Sequence, residues 1–178
     1  MNEKNAPKHK KSGQLMLYIA WIIALGLLTV YFKPYEQAQY NPNFAPTTIK
    51  NQQGSNEVAL QRNHYGQYIS AGKINHHKVT FLIDTGASEV SIPENIAERL
   101  ALEMGAGMLR GTANGTIKVY ATRLKQLDIG GISLHNVRAS INPHMDGETI
   151  LLGMSALKEI EFRQQGKVLT LVQASNAP

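Results

Sequence analysis

The 178-residue sequence contains no cysteine. That absence excludes a disulfide framework, a thiolate zinc site, an iron–sulfur cluster and a cysteine nucleophile. Charge is scarce as well, at 17% of residues, and it is unevenly placed. Residues 1–14 carry Lys4, Lys8, Lys10 and Lys11 against Glu3, whereas residues 57–178 hold 12 Lys/Arg against 11 Asp/Glu. A nucleic-acid binder concentrates its basic excess on the folded part that meets the phosphates. Here the pI of 9.4 owes most to a short tail, so nucleic acid is not expected as a partner. Histidines are few and poorly spaced for a metal: His76 and His77 are adjacent, and His64, His135 and His144 are scattered. Neither a metal nor a cofactor is expected.

Against this sparse background one apolar run stands out. Leu15–Phe32 (LMLYIAWIIALGLLTVYF) has no charged residue, and as a helix it would span about 27 Å, close to a bilayer's hydrocarbon core. Tyr18 and Trp21 near one end, and Tyr31, Phe32 and Tyr35 at the other, suit the headgroup zones. Four lysines precede the run and only Lys33 follows closely, which by the positive-inside rule keeps the N-terminus cytoplasmic and sends the rest across. A cleaved signal peptide would need a shorter apolar region and an A-x-A-like site, which Glu36-Gln37-Ala38 matches poorly. The segment reads as a signal anchor. Residues 33–56, with Pro34, Pro42 and Pro46 among many Asn and Gln, show no periodicity and read as a flexible tether. The expected organisation is a basic tail (1–14), a membrane span (15–32), a linker (33–56) and one folded domain (57–178).

The domain has the rhythm of short strands. Strands are expected at Tyr65–Ile74, Val79–Ile83, Val90–Ile92, Leu109–Ala113, Thr116–Thr122, Leu124–Ile129, Ile132–Ile141, Thr149–Leu152 and Val168–Val172. Short helices are expected at Glu94–Leu100, with Pro93 as a favourable first residue, and at Met154–Lys158. Asn114-Gly115 between two strands is a strong hairpin signal. Many short strands with few helical residues indicate an all-β fold, a small closed or folded-over β domain.

One segment carries chemistry. Phe81-Leu82-Ile83 delivers Asp84 into the turn Thr85-Gly86-Ala87-Ser88. A carboxylate at the end of a buried strand is costly unless it is hydrogen-bonded or used. Asp before Thr-Gly can also be a plain turn cap. Downstream, Ile150-Leu151-Leu152-Gly153 leads into a helix, and the Asn114-Gly115 hairpin lies between.

The order of apolar strand, Asp-Thr-Gly-Ala, hairpin and apolar-apolar-Gly-helix resembles the retropepsin-like aspartic proteases, in particular their membrane-tethered bacterial branch. The resemblance covers residues 62–173 and is most specific at Leu82–Ser88 and Ile150–Met154. It implies a closed β domain of the retropepsin type with one or two short helices, behind a single transmembrane helix. It implies Asp84 as the catalytic residue, with Thr85 locking the loops and Gly86 and Ala87 beside the substrate. Thr112, Ala113, Asn114 and Gly115 would form the flap that closes over a peptide. The chemistry needs two carboxylates sharing one proton, since like charges about 3 Å apart cannot both ionise. This chain has one Asp-Thr-Gly; Asp128-Ile129-Gly130 lacks the hydroxyl and reads as a strand end. The second carboxylate should therefore be Asp84 of another copy, in a two-fold homodimer.

The resemblance thus implies a membrane-anchored aspartic endopeptidase acting on peptide or protein substrates outside the cytoplasm, best suited to a bacterial inner membrane facing the periplasm. The alternative is a non-catalytic peptide-binding module on the same fold. Three decoys are set aside. Gly105, Gly107 and Gly111 lack the strand and helix of a nucleotide loop, Ser155 lacks the second glycine of a nucleophile elbow, and a glycan at Asn114 would block the flap.

Overall fold

A computed structural model describes residues 9–50, 54–112 and 115–174. The chain divides between Ala38 and Gln39 into two units. The first is dominated by one helix, α1 (His9–Tyr40), which runs through Pro34. Its segment Gly13–Tyr40 is long and apolar enough to cross a membrane. The helix outlasts the apolar run by about two turns, because Glu36, Gln37, Ala38 and Gln39 are adequate helix formers.

The second unit is all-β. Four strands, β1 (Thr48–Lys50), β2 (Asn56–Gln61), β10 (Glu161–Gln165) and β11 (Val168–Gln173), form a small antiparallel sheet in the order β1-β2-β11-β10. The larger sheet contains β3 (Ile69–Ile74), β4 (His77–Ile83), β5 (Val90–Pro93), β6 (Gly107–Thr112), β7 (Gly115–Ile129), β8 (Ile132–Asn142) and β9 (Thr149–Leu152). Its order is β3-β4-β9-β5-β8-β7-β6, and β3 also pairs with β7 through Lys73↔Asp128 and Ile74↔Leu127, so the sheet closes on itself. Gly72 sits at that closure, where a Cβ would collide with the Asp128 carbonyl and come within 2.6 Å of the Phe81 ring. Two short helices, α2 (Glu94–Arg99) and α3 (Met154–Leu157), complete the domain.

Alternation along the strands builds one core. Phe81, Ile92, Leu124, Leu127, Ile141 and Ile150 of the large sheet meet Val58, Leu60, Leu169 and Leu171 of the small one, all buried. Two of the pairings that frame Asp84 are parallel, β4 with β9 (Ile83↔Leu152) and β5 with β8 (Val90↔Ala139), while β3 with β4 and β5 with β9 (Ser91↔Leu151) are antiparallel.

Several elements differ from expectation. Thr116–Thr122 and Leu124–Ile129 are one continuous strand, since Arg123 is no turn former and pairs with Arg138 of β8. The strand expected from Tyr65 begins at Ile69. Before it, Asn63 Oδ1 accepts the Tyr65 and Gln67 amides, and Gly66 takes φ +82°, forming a turn. Pro93 ends β5 rather than starting α2; its φ of −55° suits either role. β10 escaped notice because all five of its residues are exposed and show no alternation.

The stretch 33–56 differs most from a free tether. Asn43 is buried, with its amide donating to the Gln61 and Ile69 carbonyls (2.9 and 2.7 Å) and its oxygen accepting the Gln61 amide at 2.7 Å. The Asn43 carbonyl accepts the Ala71 amide, Asn63 donates to the Tyr40 carbonyl, and β1 pairs with β2. Side-chain amides of this Asn-rich stretch supply the bonds that periodicity could not reveal.

Candidate active site

β4 carries the chain to Ile83, and the backbone then leaves the sheet at Asp84, whose N–H still donates to the Leu152 carbonyl of β9 (3.1 Å). The chain turns at once. Asp84 Oδ1 accepts the Gly86 N–H at 2.9 Å and the Asp84 carbonyl accepts the Ala87 N–H at 3.2 Å. Among the described residues the second carboxylate oxygen has no hydrogen-bond partner, and Asp84 is half-buried while Thr85, Gly86 and Ser88 are exposed. One oxygen fixes the turn; the other is uncommitted among the described residues. The plain-cap reading of Asp84 accounts for the first oxygen only.

The downstream motif backs this turn. Gly153 lies against it so closely that a Cβ would collide with the Glu89 carbonyl and lie 2.6 Å from that of Ala87. Its φ of −92° is open to any residue, so close approach, not backbone freedom, demands glycine. The Met154 N–H then donates to the Ala87 carbonyl at 2.8 Å. Ser155, buried, accepts the Val90 N–H (3.0 Å) and donates to the Arg138 carbonyl (2.7 Å), joining β5, β8 and α3 behind the Asp84 turn. Sequence reasoning considered Ser155 only as a nucleophile and missed this supporting role.

Asp128 is engaged elsewhere. Its carboxylate accepts from Gln126 Nε2 (2.8 and 3.1 Å) and from Ser133 Oγ (2.7 Å), where β3 and β7 close the sheet. Of the expected flap, Thr112 ends β6 and faces Gly115, which begins β7 with φ +116°; Ala113 and Asn114 lie outside the described residues. Arg110 of β6 forms an ion pair with Glu89 at 2.7 Å, a contact that sequence spacing did not suggest. Among the described residues no three His, Asp or Glu side chains gather as a metal site requires.

Residues 70–159 match the family described as "gag-polyprotein putative aspartyl protease", a span that includes the Asp84 turn, the hairpin and Gly153. The chain belongs to the retropepsin-like aspartic protease family. A retropepsin-like aspartic protease from Rickettsia conorii has a similar structure, with a TM-score of 0.55 and 24% identity over 73% of this chain and 96% of that one. The EIAV protease, solved in complex with an inhibitor, aligns over 54% of this chain and 89% of its own at 21% identity, with a TM-score of 0.43. An uncharacterised protein from the cobV 5' region of Sinorhizobium sp. is 25% identical over 168 residues, 88% of this chain and 72% of that protein. Within the retropepsin-like family the fold expectation holds: a closed β domain preceded by an apolar helix.

Proposed function

We propose that the protein is a membrane-anchored aspartic endopeptidase whose catalytic dyad is Asp84 of two copies. The observation that carries this reading is the state of Asp84, with one oxygen spent on the Gly86 amide and the other without a partner among the described residues. Retropepsin-like proteins typically act as dimers on peptide substrates, and the chain's nearest motif repeat, Asp128, is committed to Gln126 and Ser133. In the dimer the paired carboxylates hold one proton between them. The ionised member takes a proton from a water as it attacks the scissile carbonyl, and the protonated member donates to the carbonyl oxygen. Thr85 supports the opposing loop, the Gly86 backbone and Ala87 line the cleft, and the hairpin around Thr112–Gly115 closes over the peptide and excludes water.

The basic residues ahead of α1 and their scarcity after it support an N-terminus in the cytoplasm and a protease domain outside it, at a bacterial inner membrane. Two chains anchored in one membrane meet at high local concentration, which favours the dimer.

The test is peptide hydrolysis by the full chain in detergent micelles, alone and mixed with Asp84→Asn subunits. Asp84→Asn keeps the shape but cannot accept the water's proton, so hydrolysis should fall by about three orders of magnitude or more while the fold persists. Excess Asp84→Asn subunits should suppress wild-type activity. Hydrolysis retained by Asp84→Asn would falsify the catalytic assignment; no suppression by subunits shown to exchange would remove the shared dyad.

A further inference from the structure

β6 is the outer strand of the large sheet, with β7 its one strand neighbour. The hairpin that should close over a peptide is therefore held along one side only, and at its base by the Gly105 and Ala121 amides donating to the carbonyls of Ala121 and Ala106. Among the residues whose side chains are described, one hydrogen-bonded contact leaves β6 for another element. It runs from Arg110 Nη2 to Glu89 Oε1 at 2.7 Å. Arg110 faces Ile117, two register pairs from the Thr112↔Gly115 end of the hairpin. Glu89 follows the catalytic turn directly, and its own carbonyl is one of the two that press on Gly153. The pair therefore spans from the moving element to the fixed one.

We propose that Glu89–Arg110 is a latch that ties the closing hairpin to the catalytic turn and sets its position over a bound peptide. The inference rests on the protease reading, in which the hairpin is the closing element. Burial supports the role: the Glu89 side chain is 16% exposed and that of Arg110 40%. A carboxylate so withdrawn from water is costly to leave unpaired, so the hairpin is drawn back to one position after each opening. Room for release is present beside it. Both residues line a cavity of 770 Å³ shared with Leu102, Met104 and Met108, into which the guanidinium can swing as the hairpin lifts. Neither residue is catalytic; both act through the hairpin.

Amide hydrogen exchange on the full chain in micelles tests the latch without reference to catalysis. In Arg110→Gln, amides of residues 107–112 and 115–120 should exchange about ten-fold faster, with β4 and β9 unchanged and Arg110→Lys restoring most of the protection. Cleavage of a reporter peptide by Arg110→Gln and Glu89→Gln should show KM raised about ten-fold with kcat within about two-fold of wild type. Unchanged exchange in the hairpin, or equal loosening of β4 and β9, would overturn the latch, as would an unchanged KM beside intact wild-type cleavage. If the wild-type protein cuts no peptide, the protease reading fails on its own and the exchange result alone decides whether the pair holds the hairpin.

Discussion

The Asp84 turn and the segment that follows α1 are fastened to the same domain by different means. At the turn, the backbone carries the fastening: Asp84 to Leu152, Met154 to Ala87, and Gly153 pressed against two carbonyls. At residues 39–43 side chains do most of it, the buried amide of Asn43 bridging Gln61 and Ile69 and Asn63 reaching the Tyr40 carbonyl, beside one backbone bond from the Ala71 N–H to the Asn43 carbonyl. The first arrangement leaves a mark on the sequence, because only glycine fits at 153 and the Asp84 turn is closed by a short side chain with an acceptor oxygen. The second does not, since Asn43 is one asparagine among many in its neighbourhood. Tightness of attachment and visibility in the sequence are separate properties.

Substitutions can set the two fastenings against each other. The largest effect should come from Gly153→Ala, whose added methyl group meets the Ala87 and Glu89 carbonyls, neither of which can move without shifting the catalytic turn. A loss of about 3 kcal/mol in stability is expected, read from denaturant or thermal unfolding, together with loss of peptide cleavage. On the other side of the comparison, Asn43→Ala strands the buried Ile69 carbonyl and the part-buried N–H and carbonyl of Gln61. It should cost about 2 kcal/mol by the same measurement, with kcat unchanged in the protein that remains folded. Equal damage to kcat by both variants would erase the distinction between a site support and a remote fastening.

Ser155→Ala should fall below both. It removes one bond to the Val90 amide and one to the Arg138 carbonyl behind the turn, for about 1 kcal/mol of stability. The smallest effect belongs to the surface pair Arg99–Glu148, fully exposed at 2.7 Å. The hydrogen bond from Arg99 holds the Glu148 carboxyl below its ordinary range. A folded-state value lower than the unfolded one adds stability above the unfolded value, and that contribution is lost as pH falls through the folded one. The melting temperature should therefore decline slightly on acidification across that window, and Glu148→Gln should flatten the decline.

Much of the fold was legible because several core strands, such as β9 and β11, alternate buried with less buried residues. Thr149–Leu152 matched its expected bounds, and the Asp84 turn and Gly153 were read from residues with few substitutes; a hairpin between β6 and β7 was expected, but Gly115, expected in its turn, instead begins β7 opposite Thr112. What stayed hidden has physical reasons. β10 is exposed on both faces and so shows no alternation. β1 is three residues long and is fixed by β2 rather than by its own pattern. Glu89 and Arg110 lie 21 residues apart, and their pairing depends on how β6 passes the catalytic turn, which local sequence does not encode. The break expected at Arg123 was absent because pairing with β8 continues through it.

The Asn43 fastening bears on how the domain could ever leave its membrane. A proteolytic cut within residues 33–38 would release a soluble product that keeps Gln39–Lys50, with Asn43 still seated and β1 still covering one edge of β2. A cut among residues 44–47 severs β1 from Asn43, so β1 stays by its pairing with β2 and by the hydrogen bond from the Gly131 N–H to Thr48 Oγ1. A cut just ahead of Glu57, where composition alone would place the border, removes Asn43 and β1 together and leaves the Gln61 and Ile69 carbonyls without their donor. Only the first product is a complete domain. Shedding, if a cell uses it, is confined by one buried amide to the stretch between the apolar run and Asn43.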